Sequence, residues 1–553
     1  MDLGNNYMGC TDLENGETAP TSLTRRGFMS GAAVLGIALA GSLAGCATES
    51  TGPEKASKDS TEKTDAGTAA PDTIDETVDV DIVVVGAGIS GLSAAVQASE
   101  NGNTVLVLEK AAAAGGNGAG TEGIFAVGSS LQKEQNIEID AVEIIRTELE
   151  ESQWRSSGAL WYDMVSHSAE NLDWLQNNGV TFSGIVDNYG SGLFNTMHWW
   201  ADNAGAVGYV PAMQAAAEAN GATFRFATAA TSLVIAENGT VAGVYAQDES
   251  GQVLQVNAKA VILASGGIGA NTELLPEAGM PQDALDDMIV MCVPTVSGDG
   301  FTMARAAGCK SYLPNASIQS FCAIEGFPMD TEPPYSTLNC GSAIATCGLG
   351  IWVDQDALRF TDESISLTFN VATPAITCMG NRESYVIFTQ TLLDNLSTDP
   401  ADKEYLDAAL ETTLGKSVFE AESYEQLAEL CELDPTVLTD TIEMYNGFCA
   451  QGFDGQFGKP ANFLSPLAEP PYYAAKISNL FIVVDGGIAT NIRAEVLNDE
   501  RMPIPGLYAV GLDGAMLWHN VYTQNMPGTC VANNVHTGRN AANSAKEYIK
   551  DTV

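Results

Sequence analysis

The residues whose types and spacing most plainly carry chemistry are Gly86-Ala87-Gly88-Ile89-Ser90-Gly91 and, 18 positions beyond the last of these, Glu109. Gly86 permits a tight strand-to-helix turn, Gly88 lets the backbone approach a pyrophosphate, and Gly91 lets the following helix pack closely on a sheet. The open N-terminus of that helix offers N–H groups and the positive end of its dipole to phosphates, and Glu109 can accept both ribose hydroxyls. Alone, such a glycine pattern is any glycine-rich turn, and its setting decides between the two. Residues 82–85 form an unbroken β-branched run, as expected of a parallel strand buried on both faces. Residues 92–100 have the composition of a small-residue helix, and a second apolar run, Val105–Leu108, ends at the acid. The arrangement implies a bound dinucleotide without saying which one, or what it does.

The chain around this stretch has 553 residues, enough for two or three domains with large cores. Its 55 glycines and 45% hydrophobic content suit an α/β enzyme. A formal net charge of −46 excludes nucleic acid as a partner, because phosphate contacts need Lys and Arg. That acidity reads as a solvated surface, with recognition by a basic partner such as an electron-carrier protein as the second reading. None of the 11 cysteines forms a CxxC pair or a CxxCH haem-attachment motif. They read as buried apolar thiols, with a disulfide such as Cys340–Cys347 and no metal site; the alternative is a metal or iron–sulfur site built from scattered cysteines.

Upstream, Thr24-Arg25-Arg26-Gly27-Phe28-Met29 precedes an apolar small-residue run at 32–44 that is too short to span a bilayer comfortably. It resembles a twin-arginine export signal, a route for proteins folded around a cofactor before they cross the membrane. The run ends in Leu43-Ala44-Gly45-Cys46, which resembles a lipobox with Cys46 as the lipidated residue; the alternative is an ordinary export signal in which Cys46 is incidental. Residues 47–77 are polar and read as a flexible tether that would let the body stand off the outer face of the membrane.

Within the body, Gly115-Gly116-Asn117-Gly118-Ala119-Gly120 is a second glycine loop, followed by helical periodicity over 139–174 and a helix at 210–217. Strands are expected at 223–226, 232–236 and 252–263, the last closing on Ala264-Ser265-Gly266-Gly267-Ile268-Gly269. From about 319 to 480 the chain is richer in Pro, Cys and aromatics, with helices at 403–413 and 424–430. The α/β pattern returns at 481 and ends in a helix from about Thr529. The expected fold is α/β, with a discontinuous Rossmann-like nucleotide-binding domain (78–318 and 481–553) and an inserted α+β capping domain (319–480).

Five blocks in order, VVVGAGISG with LEK, GGNGAG, VILASGGIGAN, SGDG and GLYAVGLDG before the last helix, resemble the FAD-binding flavoprotein family of soluble fumarate reductases, urocanate reductases and 3-oxosteroid dehydrogenases. The resemblance covers roughly 78–545 and makes the dinucleotide FAD. It implies that Ala87, Gly88, Glu109, Asn117, Gly118, Thr121, Ala230, Asp299, Asp513, Cys530 and Val531 line it, with Gly91 packing the helix behind them. Asp513 replaces the family's usual Glu. No histidine precedes Gly115-Gly116, so FAD is expected to be non-covalent.

The resemblance breaks at the substrate. Arg359-Phe360-Thr361-Asp362-Glu363-Ser364-Ile365-Ser366-Leu367 is similar to the family's cap motif, but Leu367 stands where the proton-donating arginine belongs. Ala343, Thr346, Phe321, Ile482-Val483 and Asn525 fall where the family's relay and carboxylate-binding groups belong. An apolar pocket binds a doubly charged acid only at a desolvation cost of roughly several kcal/mol, so fumarate is excluded. Met526-Pro527-Gly528 likewise replaces the Tyr-Pro-Gly of the steroid dehydrogenases. The implied reaction is hydride transfer from flavin N5 to an activated C=C bond of a mainly neutral organic acceptor, such as an enone or unsaturated lactone. Tyr522, His519 and Tyr335 are the candidates for the accompanying acid. His198-Trp199-Trp200 reads as core, or as a wall for a flat substrate. With no haem motif in the chain, electrons would come from a separate membrane-bound cytochrome or quinol-linked donor. The alternatives are a 3-oxosteroid dehydrogenase working oxidatively and a non-catalytic flavoprotein electron relay.

Overall fold

A computed structural model describes residues 70–189, 192–280, 285, 288–329, 338–367, 383–522 and 525–552. The first strand, Glu76–Val85, lies in the middle of an eight-stranded sheet. Its β-branched end is closed to water, with Ile82, Val83 and Val84 fully buried. It pairs in parallel with Val105–Leu108 on one side and Val253–Leu263 on the other. Thr223–Arg225 and Pro503–Ala509 extend the parallel set outward. Antiparallel pairing is confined to Glu495–Leu497 and to the strands Thr228–Ile235 and Val241–Asp248. A parallel sheet needs helices on its faces, and the runs of Val and Ile without alternation follow from that.

Sterics at two glycines fix the first turn. A Cβ on Gly86 (φ 107°) would lie 2.3 Å from the Ala264 carbonyl oxygen, and one on Gly91 would lie 2.0 Å from the Gly86 oxygen. The helix Ile89–Glu100 can therefore pack directly on the sheet, where all its residues but the last are buried. The last helix, Thr529–Thr552, packs against it. The expected helical region at 139–174 is two helices, Ala141–Glu151 and Gly158–Asn177. Between them Gln153 and Trp154 adopt left-handed backbone angles, and Ser157 caps the second helix by accepting from the Leu160 N–H.

A second sheet has six strands arranged around one long strand, Tyr472–Asp485, to which Ile289–Val290, Ser317–Ile324, Ser384–Thr389 and Val418–Ala421 all pair. That strand runs unbroken across positions 480 and 481, and Ser317–Ile324 begins two residues before 319. The helices Pro400–Thr413, Tyr424–Leu430 and Pro435–Gln451 accompany this sheet, and only the last has no counterpart in the sequence reading. A third sheet of three strands, Gly123–Phe125, Met197–Trp200 and Phe182–Asp187, is small but bears directly on the site.

The cap motif is a buried ionic cluster. Arg359 donates to both oxygens of Glu363 (2.8 and 2.9 Å) and to Asp454 (3.0 Å), and Lys459 reaches Glu363 at 3.2 Å. Asp362 instead accepts from the backbone N–H and the hydroxyl of Ser364. The expected Cys340–Cys347 disulfide is not formed. Cys340 has left-handed backbone angles ahead of the short helix Ser342–Thr346, and Cys347 caps that helix at its far end.

Candidate active site

Two adjoining lobes of a cleft, of about 770 and 1050 Å³ with their open mouths included, share Asn117, Gly118, Leu512 and Asn534 in their walls. The first lobe lies over the first turn. Gly88 precedes the helix there with no side-chain cap, and the first helical turn carries no acid, so its N–H groups and dipole face the lobe uncompensated. A Cβ on Gly88 would meet only the Gly115 oxygen, at 3.7 Å, and one on Gly116 would meet nothing within 4 Å. The backbone is therefore open on the side where a pyrophosphate would approach.

Glu109 is held by two backbone donors, Ala87 N–H at 2.7 Å and Ala111 N–H at 2.8 Å. Burial raises its pKa against those bonds and the nearby Lys110. Lys110 donates to Asp299 and Ser297, both at 2.6 Å. Asn534 presents a buried side-chain oxygen without a hydrogen-bond partner at the junction of the lobes. An open phosphate cradle, a fixed acid at the ribose position and a polar atom awaiting a partner fit a bound dinucleotide.

Gly88, Glu109, Asn117, Gly118, Ala230 and Asp299 line the first lobe, and Thr121, Tyr522, Cys530 and Val531 line the second. Ala87, Gly91 and Asp513 line neither. Ala87 is buried and contributes only its N–H to Glu109, and Gly91 is a helix–sheet contact. Asp513 lies behind the glycine turn, accepting from Ser265 N–H (2.5 Å), Gly267 N–H (2.9 Å) and Ser265 Oγ (3.0 Å). Burial pushes its pKa up to about 6 despite these donors. His519 is outside both lobes, partly exposed, with its pKa lowered by burial and by Arg155. Tyr335 falls outside the described residues.

His198 and Trp200 are core. The His198 ring contacts Ser129 Oγ (2.7 Å) and the Thr196 oxygen (2.9 Å), and burial pulls its pKa down to about 4. Trp199 backs the site by stacking on Tyr189 (5.3 Å between centroids).

The walls of the second lobe include Met197, Met291, Ile482 and Val483, and no lysine, arginine or histidine among the described residues. Glu122 is the one acid in its described lining, beside the phenols Tyr189 and Tyr522 and the amides Asn117, Gln319 and Asn534. Tyr522 is buried; its oxygen accepts from Thr529 Oγ1 (3.3 Å) and the Cys530 N–H (3.4 Å), and burial holds its pKa far above the usual tyrosine value. Behind Gln319, Asp485 accepts from Gln319 Nε2 (2.8 Å to each oxygen) and Ser317 Oγ (3.0 Å), and burial pushes it up to about 7. Glu122 and Tyr189, absent from the sequence reading, face each other across this lobe, the Tyr189 hydroxyl donating to Glu122 Oε2. A lone acid inside the apolar stretch 121–127 was the signal for Glu122; nothing in the sequence marks Tyr189.

A nucleotide-type α/β fold with this two-lobed cleft defines a flavoprotein of the oxidoreductase type. The FAD binding domain family model matches residues 81–525, and the chain belongs to that family. Its cofactor is FAD. It is 30% identical over 487 residues to a vinyl phenol reductase of Lactiplantibacillus plantarum, covering 85% of this chain and 96% of the relative. A fumarate reductase (cytochrome) of Shewanella frigidimarina is 28% identical, over 89% of this chain and 81% of the relative. The fold is shared with the crystal structure of 3-ketosteroid-Δ4-(5α)-dehydrogenase from Rhodococcus jostii RHA1, at a TM-score of 0.69 and 21% identity, covering 87% of this chain and 99% of that one.

Proposed function

We propose that this protein is an FAD-dependent reductase of a conjugated C=C bond in an uncharged organic acceptor. The observation that carries this reading is the second lobe, whose described lining holds one buried acid, two phenols and no cation. A carboxylate substrate would lose its water with no counter-charge in the described lining, whereas a neutral conjugated molecule loses little on leaving water. The likeness to a vinyl phenol reductase, spanning nearly all of that relative, supports a conjugated neutral acceptor.

Bound FAD, once reduced, supplies the hydride. The chain must bind the acceptor flat, exclude water and provide a proton. Met197, Met291, Ile482 and Val483 give the lobe an apolar wall, and the buried Tyr522 hydroxyl is the proton donor in this reading. FAD is held non-covalently, by the open helix N-terminus, Glu109 and the glycine loop at 115–120. Residues 78–318 and 481–553 hold the cofactor and 319–480 cover it.

No helix among the described residues is long and apolar enough to cross a membrane. The twin arginine and Cys46 lie outside the described residues and support export with a lipid anchor, with electrons supplied by a separate membrane cytochrome or quinol-linked donor.

The test is anaerobic oxidation of dithionite-reduced viologen by the FAD-loaded protein, with 4-vinylphenol and a simple enone against fumarate and urocanate. Turnover of a neutral acceptor with fumarate at least 100-fold slower is expected. Fumarate turnover at a comparable rate, or dye-coupled oxidation of a saturated ketosteroid without any reductase activity, overturns the reading. Tyr522→Phe should lower kcat by about 100-fold or more with FAD content unchanged, and an unchanged kcat removes Tyr522 from the role.

A further inference from the structure

Glu122 is 8% exposed, and one of its two carboxyl oxygens, Oε1, has no hydrogen-bond partner. The other oxygen accepts from the Tyr189 hydroxyl. Both side chains are held in place from behind. Glu122 directly precedes the strand Gly123–Phe125, and its carbonyl accepts from the Trp200 N–H at 2.8 Å. Tyr189 has a left-handed backbone (φ 57°), and its N–H donates to Asp187 Oδ1 at 2.9 Å. Its ring lies on Trp199 with the two planes 13° apart, and the Trp199 indole N–H donates to the same Asp187 oxygen at 2.9 Å. A rigid phenol thus occupies one oxygen of a buried carboxyl and leaves the other without a partner, on a residue that lines the cleft.

We propose that the Glu122–Tyr189 pair is the polar anchor of the second lobe, taking the uncharged hydroxyl or carbonyl oxygen of the acceptor on Glu122, in a lobe whose described lining offers a carboxylate no counter-charge. This rests on the reading of the acceptor as uncharged. A buried carboxyl oxygen without a partner costs about 1–3 kcal/mol, and a ligand oxygen that accepts from it removes that cost. The groups facing Glu122 are Tyr189 and Asp187, with Tyr522 beyond Tyr189. No cation is among the causes that set its charge, and burial pushes its pKa up to about 8. Below that pH it is an acid with Tyr189 donating to Oε2, so its own proton is on Oε1, aligned with the orphaned position. Above it the carboxylate has no proton to give, so it loses a carbonyl oxygen but can still accept from a ligand hydroxyl. For a carbonyl ligand the anchor therefore works at neutral pH and fails in alkali.

The test is calorimetric binding of two saturated probes, 4-ethylphenol and 4-ethylbenzoate, to the FAD-loaded protein, which needs no turnover. At pH 7 the phenol is expected to bind at least 30-fold more tightly than the benzoate. The Kd of a third probe, 4-ethylacetophenone, whose carbonyl oxygen only accepts, should rise about tenfold between pH 7 and pH 9. E122A should weaken phenol binding tenfold or more with FAD content unchanged. E122Q, which keeps a neutral donor, should weaken it only a few-fold and abolish the pH dependence. If E122A does not hold FAD, the loss of pH dependence in E122Q decides. Equal binding of the two probes, wild-type affinity in E122A, or an alkaline loss that persists in E122Q overturns the proposal. Phenol binding as expected in a protein that reduces no C=C bond would overturn the proposed function and leave the anchor standing; reduction of 4-vinylphenol with an E122A protein of normal affinity would do the reverse.

Discussion

Asp485 is fully buried, and the donors Ser317 and Gln319 do not offset its loss of water, so its carboxyl titrates at about 7 instead of near 3.8. A carboxyl whose pKa is raised on folding stabilises the protein at low pH. That contribution is complete below the unfolded value and is lost as the pH climbs from about 4 to about 7. Asp485→Asn keeps the shape without the charge. It should therefore match the wild type at pH 4 and exceed it at pH 8 by on the order of 3 kcal/mol, read as a rise in Tm at the higher pH alone. An equal offset at both pH values would assign the effect to packing. At the other lobe the decisive residue has no side chain. Gly91→Ala would force a methyl to 2.0 Å from the Gly86 oxygen. Separation of the first helix from the sheet should cost about 2 kcal/mol or more and strip FAD from the purified protein, seen as loss of flavin absorbance.

At the scale of elements, two polar clusters carry testable weight. The helices Gly158–Asn177 and Thr529–Thr552 are tied by Asp163 Oδ2 and His536 Nε2 at 2.8 Å, with Asn540 3.1 Å from the same oxygen. Partial burial would raise the Asp163 pKa, but His536, His167 and Asn540 lower it on balance. A depressed carboxyl stabilises above its unfolded pKa and loses that contribution as the pH falls through the folded value. Asp163→Asn should therefore cost about 1 kcal/mol at pH 7 and progressively less as the pH falls below the ordinary carboxylate range, by thermal unfolding across that range. In the cap motif, Arg359 serves two buried acids at once, Glu363 and Asp454, and Lys459 joins the cluster through Glu363. Arg359→Met would leave Glu363 and Asp454 buried without their main counter-charge and should destabilise by about 3–5 kcal/mol. Loss of that magnitude in a urea titration is expected, and an unchanged midpoint would show the cluster to be dispensable. Sequence reading placed the elements that pack by simple periodicity, among them the first strand, the helix after it and the last helix. It missed the helix Pro435–Gln451 and drew one helical region where Gln153 and Trp154 break it in two, because neither residue type announces a left-handed backbone. The FAD lobe was legible because its glycines answer to local sterics. The Glu122–Tyr189 pair was not, because the two residues meet only through the three-stranded sheet that joins 123–125 to 182–200.

For the whole molecule, charge is the leading property. At −46, electrostatic steering should favour cationic electron donors over anionic ones. Reduction of the FAD-loaded protein by a cationic viologen radical should slow several-fold between about 10 mM and about 500 mM salt, as the Debye length falls from about 30 Å to a few Å. An anionic reductant should show the opposite trend, and identical salt dependence for both would exclude steering. On the proposal of export with a lipid anchor, Cys46→Ser should move the protein from the membrane fraction to the soluble one; retention on the membrane would rule out a lipid anchor at that residue. The strand Tyr472–Asp485 has a consequence for protein engineering. Four other strands pair with it, one of them Ile289–Val290 from well upstream, and its last residue, Asp485, lies beneath the acceptor lobe. A chimaera that takes residues 319–480 from a relative would cut this strand near its end and mismatch both its hydrogen-bond ladder and the support of Asp485. Crossovers placed before Tyr472 or after Asp485 would leave that ladder whole, so grafting a new acceptor preference onto this scaffold calls for exchanging side chains along the strand in place of the segment itself.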